Sequence, residues 1–279
     1  MIGSIAYESS PLKRWMPLSG DAATVFYQGG IVTTTKANAD LTQDGVLILG
    51  NGVGVGDLTA LHVPYGLVLG FNAMEPTFSG GRQTCTAIAS SSQHGATAQY
   101  LGGSNNIGVI DDGRPKADVA IIDPSTYIKL PIWNATWGTA ISVGTVTTAG
   151  ASTTGAGFTS STVSDCSTPV AGLGTVYCRK GANKGASRVT SDASQTVKTI
   201  YDYFKYDITA GDQFVSVPLR EGTSYIQIDA TGTFIDASQN SATNYYIVNV
   251  VEINLDTAGQ EYAIFRFSPN QFDFYRAST

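Results

Sequence analysis

Charge is scarce in this chain. Asp, Glu, Lys and Arg make up 14% of its 279 residues, against about 25% in an average soluble domain. A surface so thin in charge and so rich in hydroxyls and small residues suits dense packing against other protein. The 16 Lys and Arg are outnumbered by 22 Asp and Glu, for a net charge of −6. A nucleic-acid partner needs a basic face to neutralise phosphates, so none is expected. Cysteine is scarce too, and odd in number: Cys85, Cys166 and Cys178 form no CxxC pair and no Cys/His cluster. That set disfavours a disulfide framework and a zinc site, and leaves buried thiols or one incidental pair such as Cys166 with Cys178.

Histidine is nearly missing. His62 lies in ALHVPYG and His94 in SSQHGAT, and neither belongs to a motif that supplies a nucleophile or a metal partner. A general base needs a positioned partner, and the chain has neither a Gly-x-Ser-x-Gly elbow nor a His-Glu-x-x-His pair. No catalytic residue, cofactor site or metal site is assigned, and the protein is not expected to be an enzyme. Long apolar runs are also lacking, since nothing approaches the roughly 18–20 residues of a membrane span. The opening MIGSIAYESSPLKRWMPLSG has no basic-then-apolar signal, because Glu8 and Lys13-Arg14 break up any such run. A soluble product of the cytoplasm, without a membrane partner, is expected.

What is present is a series of short apolar runs punctuated by glycine. TVFYQGGIVTT, YGLVLGF, VAIIDP, YIKLPIW, TAISVGTV, FVSVPLR and EYAIFRFSP are rich in Val, Ile, Leu and aromatics, and Gly, Asn and Asp cluster between them. These are strand and turn signals. In Tyr245 to Leu255 both alternating sets are largely apolar, which predicts a central strand buried on much of both faces. SQTVKTIYDYFKY fits a helical face through Val197, Ile200, Tyr201 and Phe204, yet it also alternates; its β-branched and aromatic content favours strand. The reading is all-β, with antiparallel sandwich or barrel modules. Residues 1–20, with Pro11 and Pro17, read as an extended amino-terminal arm. A β domain follows over 21–145, then a Gly/Ser/Thr-rich linker or long hairpin over 146–165, and a second β domain over 166–279.

Three stretches imitate ligand motifs. GNGVGVGD has glycines at every second position, 50, 52, 54 and 56, instead of the Gly-x-Gly-x-x-Gly spacing of a dinucleotide loop. VYCRKGANKGASRVTSD, residues 176–192, crowds two lysines and two arginines around Gly181 and Gly185. Only three residues separate those glycines and Lys184 precedes the second, so the order of a phosphate loop fails and a hairpin turn with solvated basic flanks is expected. NADLTQDG (38–45) and DDGRPKAD (111–118) are acidic turns that could offer oxygen ligands to calcium, but the first lacks the mid-loop glycine and closing glutamate of a calcium hand. Asn134-Ala135-Thr136 is a sequon by spacing, which chance explains in a chain without a secretory route.

The order of segments resembles one known group. FYQGGIVTTTKANADLTQDG is similar to the opening of small capsid cement proteins of tailed bacteriophages. VYCRKGANKGASRVTSD, then ITAGDQFVSVPLREGTSYIQIDATGTFID, then EYAIFRFSP, resembles the carboxyl half of uncharacterised proteins of phage structural-gene clusters. The likeness covers most of residues 24–269 and rests on turn-and-strand patterns. It implies a decoration protein of the virion, trimeric, bound to the major capsid protein on the outside of the shell where capsomers meet. Lys13, Arg14 and Trp15 are the expected capsid contacts, since Trp and Arg anchor protein interfaces. A tail or fibre component that binds carbohydrate through its tyrosines is the alternative. The major shell subunit itself ranks lower, because no segment offers that fold's long spine helix.

Overall fold

In the computed structural model the described residues are 3–7, 11–17, 25–35, 54–55, 62–74, 82–83, 87–89, 116–133, 141, 143–148, 158–160, 173–191, 197–229, 232–238 and 245–272. Their regular structure is strand, apart from one 3-10 turn at Pro269–Gln271. The all-β, mainly antiparallel architecture read from the sequence is therefore the one the chain adopts. The chain forms two compact units, one of residues 128–229 and 234–268, the other of residues 2–127, 230–233 and 269–279. In sequence the division falls between Tyr127 and Ile128, ahead of the Gly/Ser/Thr-rich stretch.

The amino-terminal unit holds β1 (Ser4–Ile5), β2 (Lys13–Pro17), β3 (Val25–Tyr27), β4 (Ile31–Thr35), β5 (Gly54–Val55), β6 (His62–Met74), β7 (Arg82–Gln83), β8 (Ala87–Ala89) and β9 (Lys116–Ile121). Its main sheet runs β2-β9-β6-β4-β5, with β7 on β6 and a separate β3-β8 ladder. The core lies on the central strands, where Ile31, Val32, Leu67, Val68, Val119 and Ala120 are buried. Burying each of the larger ones stabilises the unit by about 1.5–3 kcal/mol. Pro64 lies within β6 opposite Thr33, where the register with β4 slips between Val32 and Thr33. A residue without an N–H is tolerated at such an irregularity. Between β9 and the next strand Asp123 organises the turn by accepting from the Ser125 N–H at 2.8 Å and the Ser125 hydroxyl at 2.6 Å.

The carboxyl-terminal unit continues with β10 (Ile128–Trp133), β11 (Gly144–Thr148), β12 (Phe158–Ser160), β13 (Gly174–Lys180), β14 (Ser187–Thr190) and β15 (Val197–Lys198). It ends with β16 (Gln213–Val217), β17 (Gly222–Ile226), β18 (Ile235–Asp236), β19 (Tyr246–Asn254) and β20 (Tyr262–Phe267). One sheet contains the path β10-β20-β19-β17, with β18 parallel to β10; the other runs β14-β13-β16-β11-β12-β15. Phe214 to Val217 of β16 are all buried, as a strand flanked on both sides and covered on both faces requires. Val146, Val176, Cys178, Ile200, Phe204, Ile208 and Phe214 form one apolar cluster, with the Phe204 and Phe214 rings edge to face at 5.6 Å.

Two sequence expectations need adjustment in this unit. β19 is central, between β17 and β20, but its faces are unequal: Tyr246, Val248 and Val250 are buried, whereas Val251 is 38% exposed. Ile247 and Asn249 on the second face are half-buried, and a register irregularity between Val250 and Glu252 then interrupts the alternation. Among the described residues of SQTVKTIYDYFKY, Val197–Lys198 are strand, followed by a bridge from Ile200 to Thr190. From Tyr201 it is an irregular loop that buries Ile200, Phe204 and Ile208 and leaves the tyrosines between them outside.

Candidate functional site

The expected capsid contacts fall on β2, an edge strand antiparallel to β9. Lys13 pairs with Ala120 and Arg14 with Val119, and both basic side chains are exposed. Trp15 occupies the register position opposite Asp118. Two residues that the sequence reading did not single out for contact lie close by in the chain, Leu12 at 59% exposure and Tyr7 at 61%. Tyr7 has a φ of +59° and its ring meets Tyr127 edge to face at 5.3 Å, so its exposure is held in place by packing. Among the described residues of 1–20, Ser4–Ile5 and Lys13–Pro17 are strand.

The basic hairpin between β13 and β14 closes on itself. The Lys184 N–H donates to Gly181 O at 3.2 Å, Gly185 N–H to Cys178 O at 2.9 Å and Ala186 N–H to Asn183 O at 3.0 Å. A phosphate cradle needs several converging N–H groups turned outward, and here three successive amides already have carbonyl partners within the hairpin. Asn183 at the tip is buried, and its carboxamide bonds the backbone of Tyr206. Lys180 and Lys184 remain in solvent. The hairpin therefore braces a neighbouring loop, which exposes three tyrosines.

Tyr201, Tyr203 and Tyr206 are 64%, 53% and 48% exposed. Arg188 of β14 fixes the loop from its other side, donating Nε to Tyr203 O at 2.6 Å and standing 3.6 Å from Asp202 Oδ2, with its guanidinium 5.0 Å from the centre of the Phe204 ring. Beside Tyr201 opens a groove of about 240 Å³. Val189, Ile253 and Leu255 give it apolar surface; Tyr177, Ser187, Arg188, Asp202 and Glu221 give it polar groups. The Tyr177 hydroxyl donates to Asp256 Oδ1 at 2.9 Å. Burial first, then that hydrogen bond and the Asp256 charge, push its pKa up to about 12, so the phenol stays protonated. Behind Tyr177 on the same strand, Arg179 donates to Glu261 Oε1 at 2.5 Å and to Leu255 O at 2.7 Å, fixing β13 to the β19–β20 connection.

The sequence reading missed this loop because Val197, Ile200, Tyr201 and Phe204 imitate a helical face, while Val197, Thr199, Tyr201 and Tyr203 alternate as a strand does. The available signal was the charge set among them, Asp202, Lys205 and Asp207, which neither face of a buried strand would hold. Elsewhere the described residues contain no group of three His, Cys, Asp or Glu side chains fit to hold a metal. Cys178 is a free, buried thiol whose pKa is raised to about 11, chiefly by burial and then by the Asp212 charge, which leaves it little thiolate character. Cys85, Cys166, His94, the sequon at Asn134 and the acidic turn 38–45 lie outside the described residues, as do 111–115 of the second acidic turn and the side chain of His62. No helix among the described residues is long and apolar enough to cross a membrane. No protein-family model matches the chain, and no curated protein or solved structure was found to be similar to it.

Proposed function

We propose that the protein is a non-enzymatic structural component of a phage virion that binds the outside of the capsid shell and stabilises it by bridging capsomers as a homotrimer. The observation that supports this reading is the exposed stretch of Tyr7, Leu12, Lys13 and Arg14, the last two on an edge strand. Large apolar side chains next to Arg are the chemistry of interface anchors. Basic groups complement the acidic faces of a partner. Interfaces of ordinary size bury roughly 1,200–2,000 Å², and several attachments per trimer multiply a modest affinity. The absence of any α-helix among the described residues favours this role over that of the major shell subunit.

The test is co-sedimentation with bare shells assembled from the cognate major capsid protein, after light scattering has fixed the oligomer. Removing residues 1–18 outright would strip β2 from β9, so the informative variant is Leu12→Ser with Lys13→Glu and Arg14→Glu. The native protein should saturate the shells, and the triple variant should bind at least about tenfold more weakly with an unchanged melting temperature. Failure of the native protein to bind shells, or undiminished binding by the variant, overturns the assignment.

A further inference from the structure

The groove beside Tyr201 lies in the carboxyl-terminal unit, and capsid attachment through β2 does not use it. Its chemistry is specific enough to name a ligand class. The charged groups on its walls are two carboxylates, Asp202 and Glu221, against one guanidinium, Arg188. That guanidinium is already engaged, because Nε donates to Tyr203 O at 2.6 Å and another nitrogen to Ser187 O at 2.7 Å. An anionic ligand would thus find excess negative charge and a cation whose donors are partly committed. Hydroxyl-bearing ligands find the reverse, since carboxylate oxygens accept hydrogen bonds from them. Asp202 is well placed for this: its side chain is 74% exposed, and one oxygen is oriented by the Tyr203 N–H at 2.8 Å.

The second requirement of a polyhydroxylated ring is an aromatic plate for its apolar face. Tyr201 lines the groove and is 64% exposed. Its backbone N–H is bonded to Val189 O at 3.0 Å, so the plate stands on β14 and not on a free loop. Size agrees as well. Enclosed pockets for drug-sized ligands span about 300–1,000 Å³. A groove of about 240 Å³ that is partly open to solvent has room for one sugar ring. A quaternary ammonium would require a box of several ring faces, whereas Tyr177 has its hydroxyl tied to Asp256 and Tyr203 and Tyr206 do not line the groove. We infer that this groove is a binding site for a neutral saccharide, stacked on Tyr201 and hydrogen-bonded by Asp202 and Glu221.

The experiment is an oligosaccharide array carrying neutral hexose and N-acetylhexosamine oligomers beside sialylated and sulfated ones. Titration with the best neutral oligomer and with choline then follows, read by NMR on the full chain. Neutral oligomers should bind in preference to acidic ones. Tyr201→Ala should weaken the binding by about tenfold or more, as truncation of an aromatic anchor does. Glu221→Gln should weaken it without altering the melting temperature, and Tyr206→Ala, outside the groove, should leave it unchanged. Absence of neutral binding, preference for acidic glycans, binding of choline in place of sugar, or undiminished binding by Tyr201→Ala would each overturn the inference. These outcomes are independent of shell co-sedimentation, so either reading can fail alone.

Discussion

Asn183 holds the peptide of Tyr206 from both ends: its Nδ2 donates to Tyr206 O at 2.8 Å, and its Oδ1 accepts from Tyr206 N at 2.9 Å. Asn183 is 4% exposed. Asn183→Ala is expected to cost about 1–3 kcal/mol in urea unfolding, because it removes two hydrogen bonds worth about 0.5–1.5 kcal/mol each. The same variant should raise hydrogen exchange in residues 201–208 more than elsewhere. Equal protection there would show that the clamp does not order the loop.

Gly181 and Gly185 bracket the hairpin tip and differ in what surrounds them. Both have positive φ, +124° and +88°, but a Cβ on Gly181 would collide with the Asp212 carboxylate, whereas one on Gly185 meets nothing within 4 Å. Asp212 cannot yield cheaply, since it is buried and accepts from Thr209 N at 2.9 Å. Gly181→Ala should therefore destabilise by more than about 1 kcal/mol, and by more than Gly185→Ala, which carries conformational strain alone. Thermal melts of the two variants decide this.

The Arg179–Glu261 pair is 8% and 0% exposed at its side chains. Removing one charge strands the other in the interior, so Glu261→Ala should cost about 3–5 kcal/mol. Replacing both, as Arg179→Met with Glu261→Leu, should cost less than either single change. A double-mutant cycle measures the difference, and additive costs would mean the pair is not coupled.

Alkaline stability follows from two raised pKa values. Cys178 moves from 9.0 to about 11 and Tyr177 from 10.0 to about 12, so the folded state keeps protons that the unfolded chain releases. The stability they contribute is complete below about pH 9 and declines as pH rises, first over about 9–11 and then over about 10–12. Melting temperature against pH should be level from neutral pH to about pH 9 and fall above it, and Cys178→Ala should remove the earlier part of the fall. Asp123 acts at the other end. Its pKa is lowered, chiefly by the Ser125 hydroxyl, so its contribution is lost as pH falls below the ordinary carboxylate range.

The strands were legible because they carry a physical pattern that needs nothing distant. Ile31–Thr35, Gln213–Val217 and Tyr262–Phe267 are β-branched or aromatic runs bounded by glycine or proline, and each forms where the sequence places it. The hairpin at Gly181 was legible for the same reason, since its turn is decided within five residues. The clamp from Asn183 to Tyr206 was not, because nothing local distinguishes an asparagine that caps its own turn from one that reaches another loop. The groove was hidden similarly: Tyr177, Tyr201 and Glu221 lie in separate segments, and they come together through the pairing of β13 with both β14 and β16 and the bridge from β14 to Ile200.

The ladders of the carboxyl-terminal unit join strands far apart in the chain, as Ile128 with Phe265 and Cys178 with Phe214. Such closures are slow, because the loop entropy is spent before the contacts form. During synthesis β10 leaves the ribosome long before β20, and Ile128, Leu130 and Ile132 wait uncovered. The yield of dispersed protein is therefore governed by how long that unfinished surface survives, and growth at low temperature with added chaperone favours it.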